Sequence, residues 1–521
     1  MKISLYRIIF FTLAILIGQK MQAIDSGGKA DYSFRRIAEL YPWLCSANPA
    51  GLVTKDFNDF SQVRLSIENI DGSYKNYDDP ANFFSSSVNT RSFVRRGNFY
   101  LMGNFDFTHF DKTAQAWSGT IHSRDVINML TDSIPGRVLG ESYRMSGAVG
   151  YRINKIFSAG IGFNYETSTA AKRVDGRNKN ILSSFEIRPA IKITGDKFTG
   201  GLNLLYQYKA EFSDYIFLGD NSGKHIYNFQ GGWMYIKESI TNSSVLDRGY
   251  FSDYYGGALQ LSYGSGNFRI FTEFDIKYKA EDNYDDFNLL RRYASTEGLF
   301  YSLILKAVYN TNISRHSLQL NFNCEERLSY KIENQYEPVP NEVNTWNWFE
   351  YGKTLRYYDA GRRYRAVYTL ELGENKWNPR WSFSLSGNLI DFNSEFIVYP
   401  ALYSQKYCFG GADLAISRHF RAGKFNLIDI SLVAGNYKGK GDMLTVQNPV
   451  MTGVLTIASS LMEEDFFYNT SGRVLLGGGL RYRRTVNEDK GTTLFIDAGI
   501  RQFQRKGLSR TYLNINLGLN F

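Results

Sequence analysis

The chain closes on Leu513-Asn514-Ile515-Asn516-Leu517-Gly518-Leu519-Asn520-Phe521, in which every odd-numbered residue is apolar and every even-numbered one is Asn or Gly. Successive side chains of a β-strand point to opposite faces, so this is a strand with one oily face and one polar face. The same period of two recurs upstream. Leu494, Ile496, Ala498 and Ile500 alternate with Phe495, Asp497, Gly499 and Arg501. Leu318, Leu320 and Phe322 alternate with Gln319, Asn321 and Asn323. A sandwich turns its oily faces toward each other, whereas a membrane barrel turns them outward to lipid. Alternation alone does not separate the two.

The connections do. Short ones fall at 96–97, 154–155, 195–196, 264–266, 310–314, 373–378, 421–423 and 487–491, and long ones at 110–140, 169–180, 210–250, 281–297, 331–355 and 439–464. Short turns at one end and long loops at the other mark an outer-membrane barrel, with the short turns periplasmic, although two outer connections, at 395–401 and 505–508, are short and break the pattern. The segments between them exceed the roughly 9–11 residues that a tilted strand needs to cross a bilayer. Eighteen segments emerge, from 62–73 to 509–521, or sixteen if the first two, including the polar 82–95, are not wall strands. The expected fold is therefore all-β: a transmembrane antiparallel barrel of sixteen to eighteen strands over residues 62–521.

Lys2 and Arg7 precede the apolar stretch 8–17, and Met21-Gln22-Ala23 has the form of a cleavage site. About ten apolar residues are too few for a spanning helix, which needs roughly 20, so 1–23 reads as a secretory signal. Removing Lys2, Arg7 and Lys20 lowers the net charge from +9 to +6, spread along the chain. No basic block suggests a nucleic-acid partner. Cys45, Cys324 and Cys408 form no CxxC pair and fit isolated thiols better than a disulfide framework or a metal site, and no cofactor is expected.

Residues 24–61 do not alternate. Asp31 is placed to cap a helix from Tyr32 to about Leu44, with Pro42 weakening its last turn. Such a segment is expected to plug the barrel or cap its periplasmic mouth, the alternative being a frayed tail.

The stretch Tyr41-Pro42-Trp43-Leu44-Cys45-Ser46-Ala47-Asn48-Pro49-Ala50-Gly51-Leu52, the barrel pattern and the terminal Phe521 resemble a family of Bacteroidota outer-membrane barrels of unassigned function. Asn48, Pro49 and Ala50, just ahead of the first strand, look like the N-terminal motif of long-chain fatty-acid transporter barrels. That resemblance implies a hatch inside the pore, in a family of fourteen strands rather than the sixteen to eighteen read here. The terminal strand, with Leu517, Leu519 and Phe521, resembles the signal read by the barrel-assembly machinery.

Threading places Arg188, Glu273, Asp275, Arg363, Arg365, Asp429, Arg473, Arg481, Asp497 and Arg501 in the lumen, because Arg or Lys on the lipid face costs about 2–4 kcal/mol near the midplane. Their mixed signs express no preference for anions or cations, and they line a channel or fill it with ion pairs. Aromatic residues crowd the 331–355 loop at Trp346, Trp348, Phe349 and Tyr351, where they suit a sugar, a protein or the membrane interface. Gly477-Gly478-Gly479 lies in a strand and is no phosphate cradle, and the acidic run at 281–286 lacks the spacing of a calcium loop. Of five histidines only His109, two residues before Asp111, sits at the rim, where an outer-membrane hydrolase would need it. The expected function is non-enzymatic: a barrel in outer-membrane lipid that passes or helps capture a small solute, by itself or as an accessory of a larger uptake system. The alternative is an interaction barrel with a filled lumen, whose extracellular loops bind a partner protein.

Overall fold

The computed structural model describes residues 33–218, 224–240, 247–285, 291–373, 377–397, 403–423, 425–445, 455–487 and 490–521. The signal expected at 1–23 lies outside them. In chain order the strands are β1 (Phe60–Asp71), β2 (Asn82–Arg96), β3 (Phe99–Gln115), β4 (Leu130–Thr131), β5 (Gly136–Arg152), β6 (Phe157–Lys172), β7 (Arg177–Thr194), β8 (Phe198–Ile216), β9 (His225–Phe229), β10 (Met234–Ser239) and β11 (Asp247–Ser265). They continue as β12 (Phe268–Asp285), β13 (Arg291–Asn310), β14 (Ser314–Pro338), β15 (Trp346–Leu372), β16 (Trp381–Phe396), β17 (Tyr403–Ala422), β18 (Asn426–Thr445), β19 (Leu455–Ile457), β20 (Arg473–Asn487), β21 (Thr492–Arg505) and β22 (Leu508–Asn520).

Eighteen of these form one closed antiparallel barrel. Each wall strand pairs with the next, and β22 returns to β1 with Leu517 opposite Leu65 and Leu519 opposite Val63. Closure satisfies every edge, the condition for crossing lipid with strands. Those four side chains face outward, 37–49% exposed, while Gln62 and Asn520 turn inward and hydrogen-bond at 2.8 Å. Phe521 exchanges backbone hydrogen bonds with Ser61 and so anchors the seam at the end that carries the short turns. The apolar belt recurs around the wall, through Phe105, Phe163, Leu204, Leu259, Leu303 and Leu389. The polar segment at 82–95 is a wall strand, so the count is eighteen and not sixteen.

The strands outrun their apolar sections. β14 and β15 extend well into the expected loop at 331–355, and the connection between them shrinks to 339–345. β14 pairs with β13 only as far as Lys331, and β15 with β16 only from Tyr357, so 332–338 and 346–356 stand above the barrel as a two-stranded ribbon. Trp346 and Trp348 lie in this ribbon and pack on Tyr336 with ring centroids 5.6 and 5.2 Å away. Above lipid a strand keeps its ladder without needing outward apolar residues, which is why the alternation stopped short. Residues 466–470, expected in a strand, instead end a helix, Ser459–Thr470.

Near the N-terminus the helix is shorter than expected. It spans Phe34–Leu40 and is capped by Ser33, whose Oγ accepts from the Arg36 N–H at 3.2 Å, while Asp31, the expected cap, lies outside the described residues. Pro42 cannot continue the ladder, and the chain passes into two 3₁₀ turns, Pro42–Cys45 and Pro49–Thr54.

Candidate functional site

The lumen is entered by protein from both ends. At the end carrying the short turns, residues 33–59 fold inside the wall as a floor. Phe34, Ile37, Leu44, Leu52, Val53 and Phe57 form an apolar cluster with Phe60, Phe93, Tyr100 and Trp377 of the barrel. Asn48 is the pivot of the floor. Its Nδ2 donates to the Ile191 carbonyl and to Gln260 Oε1, both at 2.9 Å, and its Oδ1 accepts from the Ala50 N–H at 2.9 Å. One side chain thus caps the Pro49–Thr54 turn and ties it to β7 and β11. Ala50 is fully buried against β6, where a Cβ added to Gly160 would fall on the Ala50 backbone nitrogen. Glycine there lets two backbones touch.

Charged anchors surround the floor. Glu273 accepts from the Ala47 N–H at 2.8 Å and from Gln260 at 3.1 Å. Arg36 makes a buried bidentate pair with Glu371, which also takes Arg315 at 3.0 Å. Arg152 donates to the Val53 carbonyl at 2.6 Å. At the rim, burial works against the Asp59 carboxylate, but hydrogen bonds from Lys55, Arg96 and the Arg95 N–H outweigh it and hold Asp59 down to about 2.

At the opposite end the ceiling is assembled from several connections. β4, β9, β10 and β19, drawn from three different loops, form a second four-stranded sheet. The helix Ser459–Thr470 lies beside it, with Met462 buried against Tyr357, Phe396 and Tyr403 of the wall. Two buried ion pairs of the wall reach up to loop carbonyls. Arg248, paired with Asp285, donates to the Asn128 carbonyl at 2.9 Å and to Asn228 at 3.0 Å. Arg327, paired with Asp359, donates to the Arg124 carbonyl at 3.1 Å. Burial pushes the Asp465 carboxyl of the helix above the ordinary range, against hydrogen bonds from Asn76 and Gln405.

Between floor and ceiling many of the lumen-facing charges are engaged. On β5 to β12 several of them meet an opposite charge. Arg188 pairs with Glu186 at 2.7 Å, Arg144 with Glu166 at 3.0 Å, and Asp275 lies within electrostatic reach of Lys277 and Arg188. Nearer the floor, Arg481 pairs with Asp497 at 3.2 Å, and Asp429 takes His419 at 2.6 Å and Arg483 at 3.3 Å. Arg473 is spent on the ceiling, donating to the Tyr74 hydroxyl at 3.1 Å and stacking over Phe409 and Tyr468. Arg363, Arg365 and Arg501 are exposed to the interior and form no ion pair among the described residues. Pair formation therefore divides the expected lumen charges into those engaged by a partner and Arg363, Arg365 and Arg501, which are not.

His109 and Asp111 do not form a working pair, since Asp111 is engaged by Arg137 at 2.6 Å and His109 faces Glu141 at 3.8 Å. Cys45, Cys324 and Cys408 are free thiols. The sequence reading missed Gly160, Arg36, Arg248 and Arg327 as holding residues. Nothing in local spacing marks them, because each acts on a segment tens to hundreds of residues away.

A model of a family described as a family of unknown function, DUF6850, matches residues 49–521. No curated protein matches the chain in sequence. Among solved structures, the chain is similar to the outer membrane transporter YddB from Escherichia coli, at 9% identity and TM-score 0.41, over 89% of this chain and 81% of that one. It is also similar to BauA, the ferric preacinetobactin receptor from Acinetobacter baumannii, at 9% identity and TM-score 0.39, over 89% and 80%. A third is the Pseudomonas putida toluene transporter TodX, at 10% identity and TM-score 0.29, over 96% and 99%. Likeness at this level says nothing of cargo.

Proposed function

The chain belongs to that family, whose description carries no activity, and we propose from the lumen itself that it is an outer-membrane barrel admitting a small solute to an internal chamber. One observation carries the reading: two independent sets of segments close in from opposite ends, while charged side chains between them stay accessible. A lumen meant only as filler would pair those charges, and Arg363, Arg365 and Arg501 stay unpaired among the described residues. The floor is the gate toward the periplasm and the ceiling the gate toward the exterior. The outward apolar belt supports placement in outer-membrane lipid.

Reconstitution tests this. Proteoliposomes holding the intact chain should be nearly impermeable to small solutes, and deletion of residues 24–58 should raise permeation. No rise, in protein that still shows heat-modifiable migration, would contradict the reading. For the membrane placement, Leu517→Asp with Leu519→Asp should block assembly, because both side chains face lipid beside the closing seam. Normal levels in the outer membrane would overturn that facing.

The second reading, an interaction barrel, draws on the ribbon of β14 and β15. Tyr336, Trp346 and Tyr351 are 45–62% exposed there, on strands whose outer edges are unpaired. A partner protein co-purifying only when 339–345 and its flanks are intact would favour it.

A further inference from the structure

We infer that an outward hollow over β13–β16, together with the lysines beside it on β17 and β18, is a binding site for a membrane lipid whose headgroup carries phosphate. The inference rests on the membrane placement and is independent of the chamber.

The lysines follow from the strand period. In β18 Leu432, Ala434, Asn436, Lys438 and Lys440 share the outward face, while Tyr437 turns inward to Asp413. An outward lysine is costly at mid-membrane, and the cost fades toward the interface. Lys438 and Lys440 therefore mark the outer boundary of the apolar belt on this wall. Lys406 of β17 joins them, two residues from Cys408, which faces Lys440. All three lysines are exposed and make no ion pair or hydrogen bond among the described residues. Three carboxylates share this face. Asp442 stands across from Lys406 without an ion pair, Asp391 takes Arg362 at 3.5 Å, and Glu395 lies further out, two residues beyond Asn393, the residue opposite Lys406. Against Lys406, Lys438, Lys440 and Arg362 they leave the patch positive.

The hollow lies in the belt next to this patch. It holds about 540 Å³, walled by Leu303, Leu320, Phe322, Tyr364 and Leu389. Asn321, Arg365 and Asn388 of the same strands alternate with these and turn inward behind it. The bed is made of residues too small to fill it. A Cβ added to Gly387 would meet nothing within 4 Å, and Ala366 is its cross-strand partner. Register carries the hollow to the lysines without a break: Phe322 faces Tyr364, Tyr364 faces Leu389, Leu389 faces Gly410, and Gly410 faces Lys438. At Gly410 no side chain stands between Leu389 and Lys438.

The occupant follows from the medium and the charge. Hydrocarbon surrounds the belt, so an acyl chain is what the hollow meets. Moving a chain from bulk lipid into an apolar hollow gains packing but no hydrophobic driving force, so the hollow alone does not choose among lipids. The lysines choose. A basic cluster at headgroup level attracts anionic lipid, and phosphate oxygens accept strong charge-assisted hydrogen bonds from ammonium groups. A zwitterionic headgroup brings its own cation into the cluster. Elsewhere on the outward rim cations already have partners, as Arg137 has Asp111 at 2.6 Å and Lys353 has Glu297 at 2.7 Å. Lys179 of β7, across the barrel from β18, is outward and unpaired but stands alone opposite Asp214.

The test is native mass spectrometry of the full chain in detergent micelles, titrated with phosphatidylglycerol or phosphatidylcholine of identical chains, each carrying a diazirine in the acyl chain. Phosphatidylglycerol should be retained preferentially, and its photolabel should fall on the strands bearing Phe322, Tyr364 and Leu389. The double variant Lys438→Gln, Lys440→Gln should cut that preference about tenfold, and Lys179→Gln should leave it unchanged. Gly387→Leu should drive the label out of the hollow in protein that keeps heat-modifiable migration. Where the double variant fails to assemble, Lys406→Gln serves the same purpose. Equal retention of the two lipids, equal loss in Lys179→Gln, or label spread evenly around the belt would each overturn the proposal alone. Protein that never inserts into vesicles would overturn the membrane placement, and this proposal with it.

Discussion

The two closures of the lumen are built on different principles. The floor is one continuous segment, residues 33–59, with its own apolar cluster and a few anchors at its margin. The ceiling is woven from loops that begin and end on different wall strands, and its anchors are buried ion pairs belonging to the wall. An insert of the first kind can leave as a unit while the barrel stays intact. A weave of the second kind can loosen only by breaking contacts that also join adjacent strands. The contrast predicts a mobile periplasmic gate and a stiffer outer one.

The largest effect should come from the ceiling. Arg248→Ala leaves Asp285 buried with Arg291 as its remaining cation and removes the bond to the Asn128 carbonyl. Breaking a buried pair from one side costs about 3–5 kcal/mol. Limited proteolysis should then cut within 116–135 first, with the floor still protected. Simultaneous loss of floor protection would break the comparison.

A smaller effect is expected at the floor. Gly160→Val forces a side chain onto the Ala50 backbone, an overpacking cost of about 1–3 kcal/mol, and the segment should release without disturbing the wall. Labelling of Cys45 by a thiol reagent should speed up several-fold while heat-modifiable migration is unchanged. Equal labelling rates would mean that the floor is fixed by its anchors alone. Asn48→Ala removes the cap of the Pro49–Thr54 turn and should cost about 1 kcal/mol, moving labelling in the same direction but less.

The smallest effect is a difference in pH response. Asp59 has its carboxyl held below the usual value of about 3.9, so its contribution is present above pH 4 and lost as pH falls toward 2. Asp465 is pushed up, so its contribution is present below pH 4 and lost as pH rises through its raised value. Acid should therefore loosen the floor rim and tighten the ceiling helix. Asp59 is partly exposed, and its share is under about 1 kcal/mol. Hydrogen exchange at residues 55–60 and 459–470, compared at pH 3 and pH 7, checks the opposite signs.

How much of this was legible in the sequence follows from what lipid demands. Where a strand crosses lipid, one face must be apolar, and Leu513 to Phe521 or Phe99 to Phe107 show it directly. Above the membrane the demand lapses, so the upper reaches of β14 and β15 read as loop. The ceiling has no period to detect, because its strands of two to six residues are held by partners far away in the chain. In the floor, the position of Asn48, Pro49 and Ala50 was visible, but the glycine that receives them lies more than a hundred residues on. The lumen charges could be placed on the inner face one by one. Which of them neutralise each other depends on the register between strands, and that is why Arg188 and Arg363 looked alike in sequence and differ in the structure.

The central claim, a chamber gated separately at its two ends, is tested most directly by single-channel conductance of four proteins in planar bilayers. These are the intact chain, the chain lacking residues 24–58, Arg248→Ala, and the two changes combined. The account predicts a nearly silent intact protein, intermittent openings in each single variant, and sustained conductance in the combination. A combined variant that assembles normally and stays silent would contradict it, showing the lumen to be filled.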